Sequence, residues 1–158
     1  MLVENSTVRP GFGENFSAGS TILKLNGVTI ETPSSFTFSG TPTIGPGCHI
    51  ITTNASQNIT FDQGGTIQGG TVKPTGNIVV NNVDFTIEKG GQVDAPGTLT
   101  VANNLIVRQN STLVTGGQTT VTGNSTIKGN SGHIAPSKAI GGTDTVDAAT
   151  FGYYATSI

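Results

Sequence analysis

NITFDQGGTIQGGTVKPTG (58–76), NIVVNNVDFTIEKGGQVDAPG (77–97), TLTVANNLIVRQNSTLVTGGQ (98–118) and TTVTGNSTIKGNSGHIAPSKA (119–139) are four versions of one unit. Each carries three short apolar pulses separated by Gly, Asn or Gln. The first pulse holds Ile59 and Phe61, then Ile78 and Val80, Leu99 and Val101, and Val121. The second holds Ile67, then Phe85 and Ile87, Leu105 and Val107, and Ile127. The third holds Val72, Val93, Leu113 and Ile134. Within a pulse, apolar and polar residues alternate, which is strand periodicity rather than helix periodicity. A repeat of about 20 residues marks a solenoid. Three strands per unit, turned by three corners, describe one coil of a parallel β-helix.

The pattern extends upstream with less regularity. Residues 36–57 supply a further coil with pulses Phe36 and Phe38, Ile44, and Ile50. Residues 15–35 supply a first coil with Phe16, Leu23 and Leu25, then Val28 and Ile30. The expected fold is all-β, a solenoid of about six coils over 15–139. A right-handed path is expected because parallel crossovers take that hand. No coil can bury its apolar side alone, so stacking must close the core.

Composition agrees with a folded β protein. The chain of 158 residues has 34% hydrophobic and 10% charged residues and a formal net charge of −2. Its seven Lys and Arg are scattered along the sequence. That distribution argues against nucleic acid held by phosphate neutralisation. A membrane surface is equally unsupported, since no basic amphipathic helix is present. The opening MLVENSTVRPGFG has neither the basic start nor the apolar run of a secretory leader. One cysteine excludes an intrachain disulfide framework. Cys48 lies two residues before the inward Ile50, so alternation places its thiol in the core.

Outside the repeat, residues 1–14 read as an extended N-terminal arm containing Arg9, Pro10 and Phe12. Residues 140–158 read as a C-terminal cap or subunit contact, and contain Phe151, Tyr153 and Tyr154. These six residues are the candidate partner-binding positions. Within the stack, Gly64-Gly65, Gly69-Gly70, Gly90-Gly91 and Gly116-Gly117 mark corners. Gln63, Asn82, Asn103 and Asn124 are expected to stack as an amide ladder. Thr37, Thr60, Val79, Thr100 and Thr120 should form one outward column, and Thr43, Thr66, Thr86, Ile106 and Thr126 another.

Chemistry is sparse in this sequence. His49 and His133 are four coils apart and cannot share a metal, and no residues have ligand spacing, so no metal or cofactor is expected. The acids Asp62, Asp84, Glu88 and Asp94 are the best case for a polysaccharide-cleaving enzyme. Asp84 and Glu88 lie four residues apart on one strand, about 13 Å and beyond a working carboxylate pair. Coil stacking instead places Glu88 beside Arg108, with Lys128 one coil further on. No catalytic residue is assigned.

The coils over 15–139, the arm and the terminal segment together resemble bacteriophage virion surface proteins. Tailspikes, fibres and the decoration or cement proteins of capsids are Thr/Asn/Gly-rich parallel β-helices of this style. The resemblance implies a non-enzymatic homotrimer, assembled in a host cytoplasm and displayed on the virion surface. Its partner would be the major capsid protein or another virion protein. The Thr columns also bear a partial likeness to ice-binding β-helices, which leaves an ice- or carbohydrate-binding module as a rival expectation.

Overall fold

The computed structural model describes residues 2–9, 23–128 and 131–146. Among them there is no helix; the chain winds through three parallel sheets. The first sheet holds β1 (Leu2–Glu4), β3 (Leu23–Asn26), β6 (Pro42–Ile44), β9 (Gly65–Gln68), β12 (Phe85–Glu88), β15 (Leu105–Val107), β18 (Ser125–Ile127) and β21 (Asp144–Val146). The second holds β2 (Thr7–Val8), β4 (Thr29–Thr32), β7 (His49–Thr52), β10 (Thr71–Lys73), β13 (Gln92–Ala95), β16 (Thr112–Thr115) and β19 (Gly132–Ile134). The third holds β5 (Phe36–Phe38), β8 (Ile59–Phe61), β11 (Ile78–Val80), β14 (Leu99–Val101), β17 (Thr119–Val121) and β20 (Lys138–Ile140). Each strand pairs with its counterparts in the coils before and after, so three consecutive strands make one turn of a β-solenoid.

The alternation read from the sequence is the alternation that forms the core. Ile59, Phe61, Ile78, Val80, Leu99 and Val101 are fully buried on the third sheet. Ile67, Phe85, Ile87, Leu105, Val107 and Ile127 are buried on the first. Val72, Val93 and Leu113 pair directly across coils and are buried in one interior row on the second. Val8, Ile30 and Ile50 continue that row downward. Four phenylalanines bridge the third sheet to the first inside the stack. Phe38 stacks on Phe61 with ring centroids 5.1 Å apart, and Phe61 meets Phe85 at the same spacing. Phe36 packs edge-on against Phe38. Offset and tilted pairs of this kind add to simple area burial. Cys48 is buried, and its sulfur accepts the Val28 amide at 3.4 Å.

Two boundaries expected from the sequence are revised. Residues 2–8 are not an arm outside the stack: β1 pairs with β3, and β2 pairs with β4. Val3 and Val8 are partly buried against the core, which explains why so few apolar residues suffice for an end coil. At the other end the repeat does not stop at Ile140. β20 pairs with β17, and β21 with β18.

The far end carries a change of chemistry instead of a change of path. The interior column Ile59, Ile78, Leu99 passes to Thr119 and then to Lys138. The column Phe85, Leu105 passes to Ser125 and then to Asp144. Lys138 and Asp144 form an ion pair at 2.7 Å, with the lysine side chain only 10% exposed. Lys138 and Asp144 share this last described layer with Ile140 and Val146, which lie opposite Val121 and Ile127, so its inward positions are half polar and half apolar.

The last turn of the second sheet corrects another expectation. Leu113 pairs with His133, and Val114 with Ile134, so the row from Val72 does not continue to Ile134. On the third sheet the expected alignment of Val101 with Val121 and Thr100 with Thr120 holds, and only the unit boundary moves, since Thr119 lies opposite Leu99. The step from Leu113 to His133 is 20 residues, one shorter than the 21 that alignment with Ile134 implied. The shared Asn-Ser of RQNSTLV (108–114) and KGNSGHI (128–134) marks this true register.

One corner is built the same way in every described turn from the first to the second sheet. Asn5, Gly27, Gly47, Gly69, Gly90 and Asn110 all have positive φ, from 47° to 83°. Gly reaches that region without a Cβ clash, and Asn tolerates it better than other residues. At Gly69 a Cβ would also stand 3.2 Å from the Lys89 carbonyl oxygen. Gly69→Val is expected to lower stability by about 1–3 kcal/mol in chemical denaturation, because it forces a β-branched residue into this conformation. Asn110→Gly at the equivalent corner should stay within about 0.5 kcal/mol. Equal losses at both positions would contradict a shared left-handed corner.

Candidate functional site

The stack places side chains in columns, so any site must be assembled from residues about 20 apart. Two columns act as internal fasteners. At the corner before the third sheet, Asn77 N–H donates to Asn58 Oδ1 at 2.8 Å, and Thr98 N–H donates to Asn77 Oδ1 at 2.8 Å. Ser35 Oγ accepts the Asn58 N–H at 3.0 Å, extending the series downward. At the corner before the first sheet, Asp84 Oδ1 accepts Asn104 Nδ2 at 2.8 Å. Asn104 Oδ1 accepts the Asn124 N–H, and Asn124 Oδ1 accepts the Thr143 N–H, both at 2.8 Å. Corners lack the sheet's own ladder, and these side-chain oxygens satisfy the amides left over.

The expected ladder of Gln63, Asn82, Asn103 and Asn124 is therefore corrected to Asp84, Asn104, Asn124. The moved boundary of the fourth unit accounts for Asn103. Asn82 is an extra corner residue with φ of 66°, and its amide donates to the Asp62 carbonyl oxygen at 2.8 Å. A glycine sits over each fastening amide. A Cβ at Gly76, Gly97, Gly123 or Gly142 would collide with the Oδ1 of Asn58, Asn77, Asn104 or Asn124 respectively. The Gly that precedes Asn77, Thr98, Asn124 and Thr143 is thus a steric partner of the Asn one coil below.

The outward columns form as expected. Thr37, Thr60, Val79, Thr100 and Thr120 are in register on the third sheet. Thr43, Thr66, Thr86, Ile106 and Thr126 are in register on the first. Beside the latter runs a polar column. Gln68 Nε2 donates to Glu88 Oε1 at 2.9 Å, and Arg108 Nε lies 3.2 Å from Glu88 Oε2. This is the expected pairing of Glu88 with Arg108, and Glu88 is mostly covered, with 16% of its side chain exposed.

The other candidate acids are also engaged. Asp62 accepts Asn81 Nδ2 at 3.0 Å, and Asp94 pairs with Lys73 at 3.0 Å. Asp84 lies at the corner before β12 and holds Asn104, while Glu88 ends that strand, so the two have separate partners. His49 is exposed on the second sheet. Among the described residues, no three His, Cys, Asp or Glu side chains gather as metal ligands would. Of the candidate partner-binding residues, Arg9 is exposed and lies 3.5 Å from Glu31. Pro10, Phe12, Phe151, Tyr153 and Tyr154 lie outside the described residues. In comparisons with known proteins, the chain matches no family model, no curated protein and no solved structure.

The ladder makes a quantitative prediction. Asn104→Ala removes an acceptor for the Asn124 amide and a donor to Asp84, and should cost about 1–2 kcal/mol in urea unfolding. Gly123→Ala should cost a similar amount on its own. The double variant should lose less than the sum, because the methyl group no longer meets the amide; coupling of about 0.5 kcal/mol or more is expected. Strict additivity would contradict the steric pairing.

Proposed function

We propose that this chain is a non-enzymatic structural protein of a virion surface, acting as a capsid decoration or cement protein. The observation that carries this reading is that Asp62, Asp84, Glu88 and Asp94 are all engaged in contacts between coils. Side chains that would serve chemistry in a polysaccharide-cleaving β-helix here fasten one turn to the next. The two corner ladders and the stacked phenylalanines support the same role, since they resist separation of the coils. A post built this way transmits load along its axis and offers proteases few open backbone groups.

The mechanism would be mechanical. One end or face docks at a junction between shell subunits and adds contact area, while the outward Thr columns keep the remainder polar and low in charge. A homotrimer is the assembly that this reading implies, with the major capsid protein as the partner.

Light scattering on the purified chain is expected to return the mass of a trimer. Incubation with preformed shells should carry the protein into the pellet on sedimentation, and decorated shells should withstand heating better than bare ones. A monomer that stays in the supernatant would contradict the proposal. So would release of reducing sugar from any polysaccharide presented to it.

A further inference from the structure

The corner that follows β12, β15 and β18 collects charge that the linear sequence disperses. Glu88, Lys89, Arg108 and Lys128 line one groove of about 680 Å³, together with Ile106, Gln109, Asn110 and Thr126. Three of the chain's seven cationic side chains therefore meet at one place, which corrects the impression of scatter. Glu88 is neutralised by Arg108 and capped by Gln68. Lys89 and Lys128 are exposed, and neither has a carboxylate within ion-pair distance among the described residues. The groove carries one acid against three cations, a local balance of +2 on a chain whose net charge is −2. Backbone geometry holds the rim in place: Lys89 and Asn110 both adopt positive φ, at 52° and 61°.

We propose that this groove is the docking site for an acidic segment of a protein partner. Charge complementarity selects an anion. The floor and rim then select among anions. Ile106 offers an apolar surface to the methylene groups of Glu or Asp neighbours, and Gln109, Asn110 and Thr126 offer hydrogen bonds to a peptide backbone. None of the lining residues is aromatic, so the stacking that recognises bases and sugar faces is missing from this groove. Lys89 and Lys128 belong to coils two steps apart, about 10 Å along the stack. Carboxylates two or three residues apart in an extended peptide span about 7–10 Å, within reach of both ammonium groups. The existence of a protein partner rests on the structural role proposed above; the position and charge of the groove do not.

The full chain would be titrated with a fluorescein-labelled hexaglutamate peptide, alongside Lys89→Gln/Lys128→Gln. Both positions are exposed, so the variant should unfold at the same temperature as the native chain. Saturable binding is expected, weakening as salt rises and falling about tenfold or more in the double variant. Backbone resonance shifts confined to residues around Lys89, Arg108, Gln109 and Lys128 would locate it. No binding, or equal binding by the double variant, would overturn the proposal. Tighter binding of a sulfated oligosaccharide or of oligothymidylate to the same residues would overturn its assignment to an acidic peptide. Peptide binding by a chain that does not sediment with shells would leave the groove standing and remove the virion role. Shell binding that the double variant retains in full would do the reverse.

Discussion

Hydrogen bonding between successive turns of backbone is the constraint on which this molecule depends. In a parallel ladder every N–H and C=O of a strand is directed at the coil above or below. Once Phe85 is opposite Gly65 and Leu105, every other residue of those turns has its vertical neighbours fixed. The inward residues become rows of apolar contact, the outward residues become columns, and the corners must repeat. A conserved path matters more than conserved length, since coils between 19 and 23 residues are accommodated by insertions at corners. The long step from Thr43 to Thr66 and the short step from Leu23 to Pro42 both leave the strands in register.

Corners are where that constraint becomes chemical. A strand satisfies its own backbone, whereas a corner leaves amides without partners. The Asn and Asp columns supply acceptors there, and the glycines above them supply the room. This explains a composition that is rich in Asn, Thr and Gly without invoking disorder. It also explains why so few charges appear. Backbone bonds and side-chain amides do most of the fastening, and among the described residues the ion pairs add to it between neighbouring coils, as Lys73–Asp94 and Arg108–Glu88 do.

The strands were legible because alternation over three to four residues survives variation in coil length. Ile67, Ile87, Val107 and Ile127 announce their row by spacing alone. Register was less legible, for a physical reason: an apolar pulse tolerates a shift in alignment that a corner does not. Aligning Leu113 with Ile134 matched hydrophobicity, while the Asn-Ser shared by residues 110–111 and 130–131 marked the turn. The left-handed corner was half visible, in that Gly69-Gly70 and Gly90-Gly91 stood out, whereas Asn5 and Asn110 serve the same function without a second Gly. The end coils were missed because Leu2–Glu4 and Lys138–Ile140 lack apolar alternation; they are held by pairing to a strong neighbour. The cationic groove needed stacking to appear, since Lys89, Arg108 and Lys128 are about 20 residues apart in sequence.

The most direct test of the account is the set of nuclear Overhauser contacts among methyl groups on the second sheet. Val72 should show cross-peaks to both Ile50 and Val93, and Val93 to Leu113, with none linking Val72 directly to Leu113. Strong contacts between Val72 and Leu113, or none between Val93 and either neighbour, would contradict the stacked coils and everything built on them.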